Sequence, residues 1–190
     1  MKSRYVALCI VFVFICSQVG CFSTTKGDLS ISEWRMEMFD STLRSESKQA
    51  DSLLDHIVNA VEANDSTSLY SIFSVHTSGS VDDLEVQIRD FFDHFEGKMI
   101  SKKRYGPASY STREGNSVVK EIEASYDIIT TDSTYRVAIK FCVIDSENPD
   151  NVGLISIYFT EAICSNMNYA YWGDGNWNPG ITIDTSSQME

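Results

Sequence analysis

Residues 118–145 read VVKEIEASYDIITTDSTYRVAIKFCVID. Ile122, Ala124, Tyr126 and Ile128 alternate with Glu121, Glu123, Ser125 and Asp127, a period of two that predicts a strand with one buried and one wet face. Thr131-Asp132-Ser133 supplies turn residues. Tyr135, Val137, Ile139, Phe141 and Val143 then alternate with Arg136, Ala138, Lys140, Cys142 and Ile144, which predicts the second strand of an antiparallel hairpin. A loop from Ser146 to Asn151 leads to another strand, with Ile155, Ile157 and Phe159 on one face. The three strands make a meander.

Upstream the period becomes helical. From about Glu46, Ala50, Leu53, Leu54, Ile57, Val58 and Val61 form a single apolar stripe, and His56 points away from it toward solvent. Asn64-Asp65-Ser66-Thr67 ends this helix and caps a short second one carrying Leu69, Ile72 and Phe73. A third helix is expected between an N-cap at Ser80, with Asp83 three residues on, and a left-handed stop at Gly97. Its buried face holds Leu84, Ile88, Phe91, Phe92 and Phe95, and the sheet is the one partner large enough to cover them. Helices first and strands after give α+β: N-terminal helices packed on a curved antiparallel sheet.

The N-terminus predicts an address. Lys2 and Arg4 precede an apolar run from Tyr5 to Cys16, then Ser17-Gln18-Val19-Gly20-Cys21. This layout describes a bacterial secretory signal peptide over residues 1–20, with Cys21 as the lipidated residue of a chain held on the outer side of the cell membrane. Val19, Gly20 and Cys21 fit the lipoprotein cleavage pattern, whereas Gln18 stands where Leu is usual. Two other readings stay open, a secreted chain cut near Ser23 and an uncleaved N-terminal helix. Against the second, a helix of about 12 apolar residues spans roughly 18 Å, short of the ~30 Å hydrocarbon core. Residues 21–45 read as a polar tether, 46–185 as one folded domain and 186–190 as a tail.

The formal charge of the whole chain is −12, and removing residues 1–20 takes away Lys2 and Arg4 and no acid, leaving −14. Such a surface repels phosphate, so nucleic acid is not an expected partner. The run Lys102-Lys103-Arg104 is read as a solvated strand face. If Cys21 carries lipid, Cys142 and Cys164 remain in the mature chain. On the meander Cys142 faces a residue near Ile155 and Cys164 one near Ser133, too far apart for the ~5.5 Å Cα separation of a disulfide. Two free thiols are expected.

The order of elements is that of the cystatin-like, or nuclear-transport-factor-2-like, cone. Gly106-Pro107, Glu121 to Tyr126, Asn148 to Leu154, Tyr171-Trp172-Gly173-Asp174 and Pro179-Gly180-Ile181 together resemble the domain of unknown function 5104 family of bacterial lipoproteins. The resemblance covers roughly residues 50–183, with Gly175 to Asn178 as an apparent insertion. It implies an exported, lipid-anchored, cone-shaped domain, and it implies no reaction.

Candidate sites are few. The Asn148–Leu154 segment is read as a structural turn in which Pro149 presets φ, Asp150 and Asn151 bond backbone, and Gly153 relieves a bulge or close approach. Residues 174–181 offer the alternate oxygens of a calcium loop. Pro179 stands where the sharp-turn glycine belongs, however, and Thr185 where a bidentate Glu is required. No metal or other cofactor is therefore expected. Within a cone the one catalytic candidate is Tyr126, an inward phenol with no carboxylate or imidazole assigned to its face; Asp127 lies opposite, His94 flanks the third helix and His76 sits in a loop. A core tyrosine with one satisfied hydrogen bond is the preferred account. Of the aromatics Tyr169, Tyr171, Trp172 and Trp177, the middle two are expected to close one end of the domain and Trp177 to be exposed. Tyr126 and Trp177 are thus the binding candidates.

The pattern favours a membrane-tethered, non-enzymatic domain that binds an unidentified small ligand or protein through the cone pocket or its rim. The alternative is a small extracytoplasmic isomerase or lyase of the ketosteroid-isomerase or polyketide-cyclase type. Two or more convergent titratable groups in the pocket would favour the enzyme, and a filled interior the binding domain.

Overall fold

Helix α1 (Glu46–Glu62) follows its apolar stripe. Ala50, Leu53, Leu54, Ile57, Val58 and Val61 are all buried. These elements come from a computed structural model that describes residues 45–105, the backbone of 109–113, and residues 118–161 and 177–184. The signal segment, Cys21, the tether to residue 44, Cys164, Tyr169, Tyr171, Trp172, Asp174 and Thr185 lie outside the described residues.

Asn64 takes a φ of 53°, and Asp65 caps α2 (Ser66–Ile72) by accepting from the Ser68 amide at 2.9 Å. His56 is not solvated as the stripe suggested. It is half-buried between α1 and α2, with Nε2 3.0 Å from Ser68 Oγ. Burial disfavours the imidazolium and lowers its pKa from the usual 6.5. The unfolded chain then binds more protons than the folded one as pH falls. The contribution of His56 is therefore fully present above about pH 6.5 and is lost as pH drops through the lower folded value. Melting temperatures from pH 7.5 to 5 are expected to fall more steeply for the wild type than for His56→Gln; parallel curves would contradict this.

A helical turn with no signature in the hydrophobic pattern follows. Helix α3 (Val75–Ser80) is capped by Ser74, whose Oγ accepts from the Thr77 amide at 3.0 Å. With six residues, VHTSGS, it has no room for an amphipathic stripe. Ser80 thus ends α3 instead of capping the next helix, His76 is helical and exposed, and α4 (Leu84–His94) begins after Asp83. Leu84, Ile88, Phe91 and Phe95 are buried as expected, and Phe92 partly so. Gly97, past the helix end, has the expected left-handed φ, 81°.

Strands β1 (Met99–Arg104), β2 (Ser109–Arg113), β3 (Val119–Thr130), β4 (Thr134–Asp145), β5 (Gly153–Glu161) and β6 (Gly180–Asp184) form one six-stranded sheet. Its order is β1-β3-β4-β5-β6, with β1 and β2 lying end to end along β3. The meander β3-β4-β5 is antiparallel as predicted, but β6 runs parallel to β5. The sheet is therefore mixed, not wholly antiparallel. A bulge between Lys140 and Phe141 sets Leu154 opposite Phe141 and Gly153 opposite Cys142. In consequence Leu154, and not Ile155, joins Ile157 and Phe159 in the core.

Helices and strands share that core. The Phe159 ring lies 5.2 Å from Phe91 and 4.8 Å from Tyr135, and Phe95 stacks on Tyr135 at 5.1 Å. The other sheet face is drier than a period of two suggests. At its centre Ser125 opposes Ala138, both fully buried. Ion pairs flank them, Asp127 with Arg136 at 2.8 Å and Glu123 with Lys140 at 3.3 Å. Long charged stems cover apolar surface while their heads pair, which is why a formally polar face buries small residues.

The loop after β4 is the structural turn expected. Asn148 Oδ1 accepts from the Asp150 amide at 3.3 Å, and Pro149 opens a 3-10 turn over Pro149–Asn151. The Asn151 side chain donates to Asp145 Oδ2 at 2.8 Å. Gly153 marks a close approach: Ser74 donates its amide to Leu154 O at 2.9 Å, tying the α2–α3 junction to the start of β5.

Candidate functional site

Three acids on one side of α1 meet three bases from the sheet. Glu46 pairs with Lys120 at 2.8 Å, Asp51 with Arg104 at 2.8 Å, and Asp55 with Lys102. Lys102 and Arg104 alternate along β1 and so share a face, while Asp51 and Asp55 are four apart and share a face of the helix. The basic run is therefore not simply a solvated face, since two of its three charges are taken up by α1. Each pair is partly exposed, so each adds roughly 0–1 kcal/mol.

Tyr126 sits beneath this seam. Its ring is fully buried, and its hydroxyl donates to Asp51 Oδ1 at 2.9 Å. The same oxygen accepts from Arg104 Nη1 at 2.8 Å. Asp51 is the carboxylate that the strand pattern did not assign to the face of Tyr126. Burial first, and the facing Asp51 carboxylate second, push the phenol well above its usual 10. A phenol so held stays protonated and serves as a donor to Asp51, which suits anchoring α1 to β3 and does not suit proton transfer near neutral pH.

Trp177 is half-buried just ahead of β6, whereas Tyr126 is on β3. Two strands separate β3 from β6 in the sheet, so these two candidates do not converge on one site. His94 is exposed, with Nδ1 2.8 Å from Asp90 O. Cys142 is a buried free thiol; burial, then Glu121 and Asp145, push its pKa up to about 12, which leaves it a poor nucleophile.

A cleft of about 330 Å³ opens instead between α2 and α4, lined by Ser66, Thr67, Tyr70, Glu85, Ile88 and Arg89. Ile88 forms a floor that is 1% exposed, and Tyr70, 36% exposed, stands at the side. No sequence motif marked this place, because its residues come from two helices and only the fold brings them together.

Helices and a mixed sheet that share one core, with a pinned inner tyrosine and a surface cleft between two helices, define an acidic α+β domain. The chain belongs to the family of the domain of unknown function DUF5104, which matches residues 56–162. No curated protein matches the chain.

Proposed function

We propose that this chain is an exported lipoprotein, tethered through Cys21 to the outer side of the cell membrane, whose folded part is a non-enzymatic binding or interaction domain of the cystatin-like or nuclear-transport-factor-2-like type. The observation that carries the non-enzymatic reading is the Tyr126 hydroxyl, committed to an Asp51 carboxylate that Arg104 also holds. The interior between α4 and the sheet is filled by the rings of Phe91, Phe95, Tyr135 and Phe159. Recognition then falls to the rim and outer surface. Both observations weigh against the isomerase or lyase reading.

The address is supported by the charged, apolar and small-residue order of residues 2–21. Feeding expressing cells a clickable palmitate analogue is expected to label the wild type and not Cys21→Ser. An unlabelled wild type would remove the tether from this account.

A further inference from the structure

Around the α2–α4 cleft most polar side chains have a use inside the protein. Asp65 caps α2, Ser68 meets His56, Ser71 bonds the Ser68 carbonyl, and Asp83 accepts from Gln87 at 2.9 Å. The five polar residues lining the cleft differ. Ser66, Thr67, Tyr70, Glu85 and Arg89 make no side-chain hydrogen bond or ion pair among the described residues. Glu85 and Arg89 are four apart on α4, a spacing that favours pairing, yet no ion pair joins them among the described residues.

We propose that this cleft binds a small zwitterion, a free amino acid or dipeptide: the α-carboxylate on Arg89, the ammonium on Glu85, and the side chain over Ile88 and beside Tyr70. The proposal deepens the binding reading above and rests on it. Charge complementarity selects the ligand class. A lone anion meets Glu85 and the acidic surface of the chain, and a lone cation meets Arg89, so neither is matched by the cleft as a whole. The guanidinium fork suits a planar carboxylate, and the hydroxyls of Ser66 and Thr67 remain for the peptide or carboxyl oxygens. At about 330 Å³ the cleft is at the small end of ligand sites, which fits one or two residues and no more.

The test is calorimetric titration of the full-length protein in detergent with Ala-Leu, N-acetyl-Ala-Leu, Ala-Leu-amide and glucose. Ala-Leu is expected to bind, and blocking either terminus to weaken it about tenfold, as loss of one charge-assisted contact does. Glu85→Gln should erase the penalty of acetylation but keep that of amidation, and Arg89→Gln should do the reverse. Both positions are exposed, so both variants keep the fold. Equal binding of the three peptides, binding of glucose alone, penalties unmoved by the two substitutions, or no heat with any probe up to about 10 mM would each overturn the proposal. Titration of the Tyr126 ring carbons by NMR reports on the non-enzymatic reading without involving the cleft, so failure of the cleft and failure of that reading are told apart.

Discussion

Gly153→Ala is expected to cost roughly 3 kcal/mol or more of folding free energy, the sum of a strained backbone and an overpacked contact. Gly153 has a φ of 139°, which L side chains rarely adopt. A Cβ built there would lie 2.7 Å from Ser74 N and 2.8 Å from Ser74 Cα. Both are backbone atoms, and the Ser74 amide is itself bonded to Leu154 O at 2.9 Å. Relief therefore requires pulling the α2–α3 junction off β5. Gly79→Ala is the matched control, since nothing lies within 4 Å of its added Cβ. Inside helix α3 that change should be neutral or stabilising by up to about 1 kcal/mol. Urea unfolding of both variants reads the difference, and equal midpoints would contradict the close approach.

Phe159→Ala should be comparably severe, at about 3–5 kcal/mol. Phe159 is 1% exposed and touches rings from α4 and β4, so its removal leaves a cavity between the helix and the sheet. With total stability of roughly 5–15 kcal/mol for a domain, this is a large share, and the melting temperature should fall by about 10 °C or more. Phe159→Leu should fall by less than half as much. Similar losses for the two would mean that the rings do not interlock as described.

The helical and two-residue periods made α1, α2, α4 and the β3-β4-β5 meander legible, because each buries a stripe or a face of its own residues. The same logic explains what stayed hidden. Helix α3 buries too little to show a period, and β6 is short and gains its place from parallel pairing with β5, a contact no local pattern records. The Lys140–Phe141 bulge moved Leu154 into the core in place of Ile155, since a two-residue period assumes an unbroken register. At the site, Tyr126 was visible as an inward tyrosine, but Asp51 and Arg104 were not visible as its partners. The spacing of Asp51 and Asp55 on a helix, and of Lys102 and Arg104 on a strand, advertises two complementary faces. Only the packing of α1 on the sheet shows that they meet. The cleft was less legible still, because Tyr70 and Arg89 acquire meaning only once α2 and α4 are side by side.

The central claim is that the inward Tyr126 is a structural donor, and that function lies on the surface. The direct measurement is an NMR pH titration of the tyrosine ring carbons, with the Tyr126 signal assigned from its loss in Tyr126→Phe. A freely solvated phenol titrates near pH 10. The account predicts that Tyr126 shows no titration up to about pH 11 while the domain remains folded, since burial and Asp51 both oppose the phenolate. Titration of Tyr126 at or below pH 10 would contradict the account and return the tyrosine to the list of proton-transfer groups.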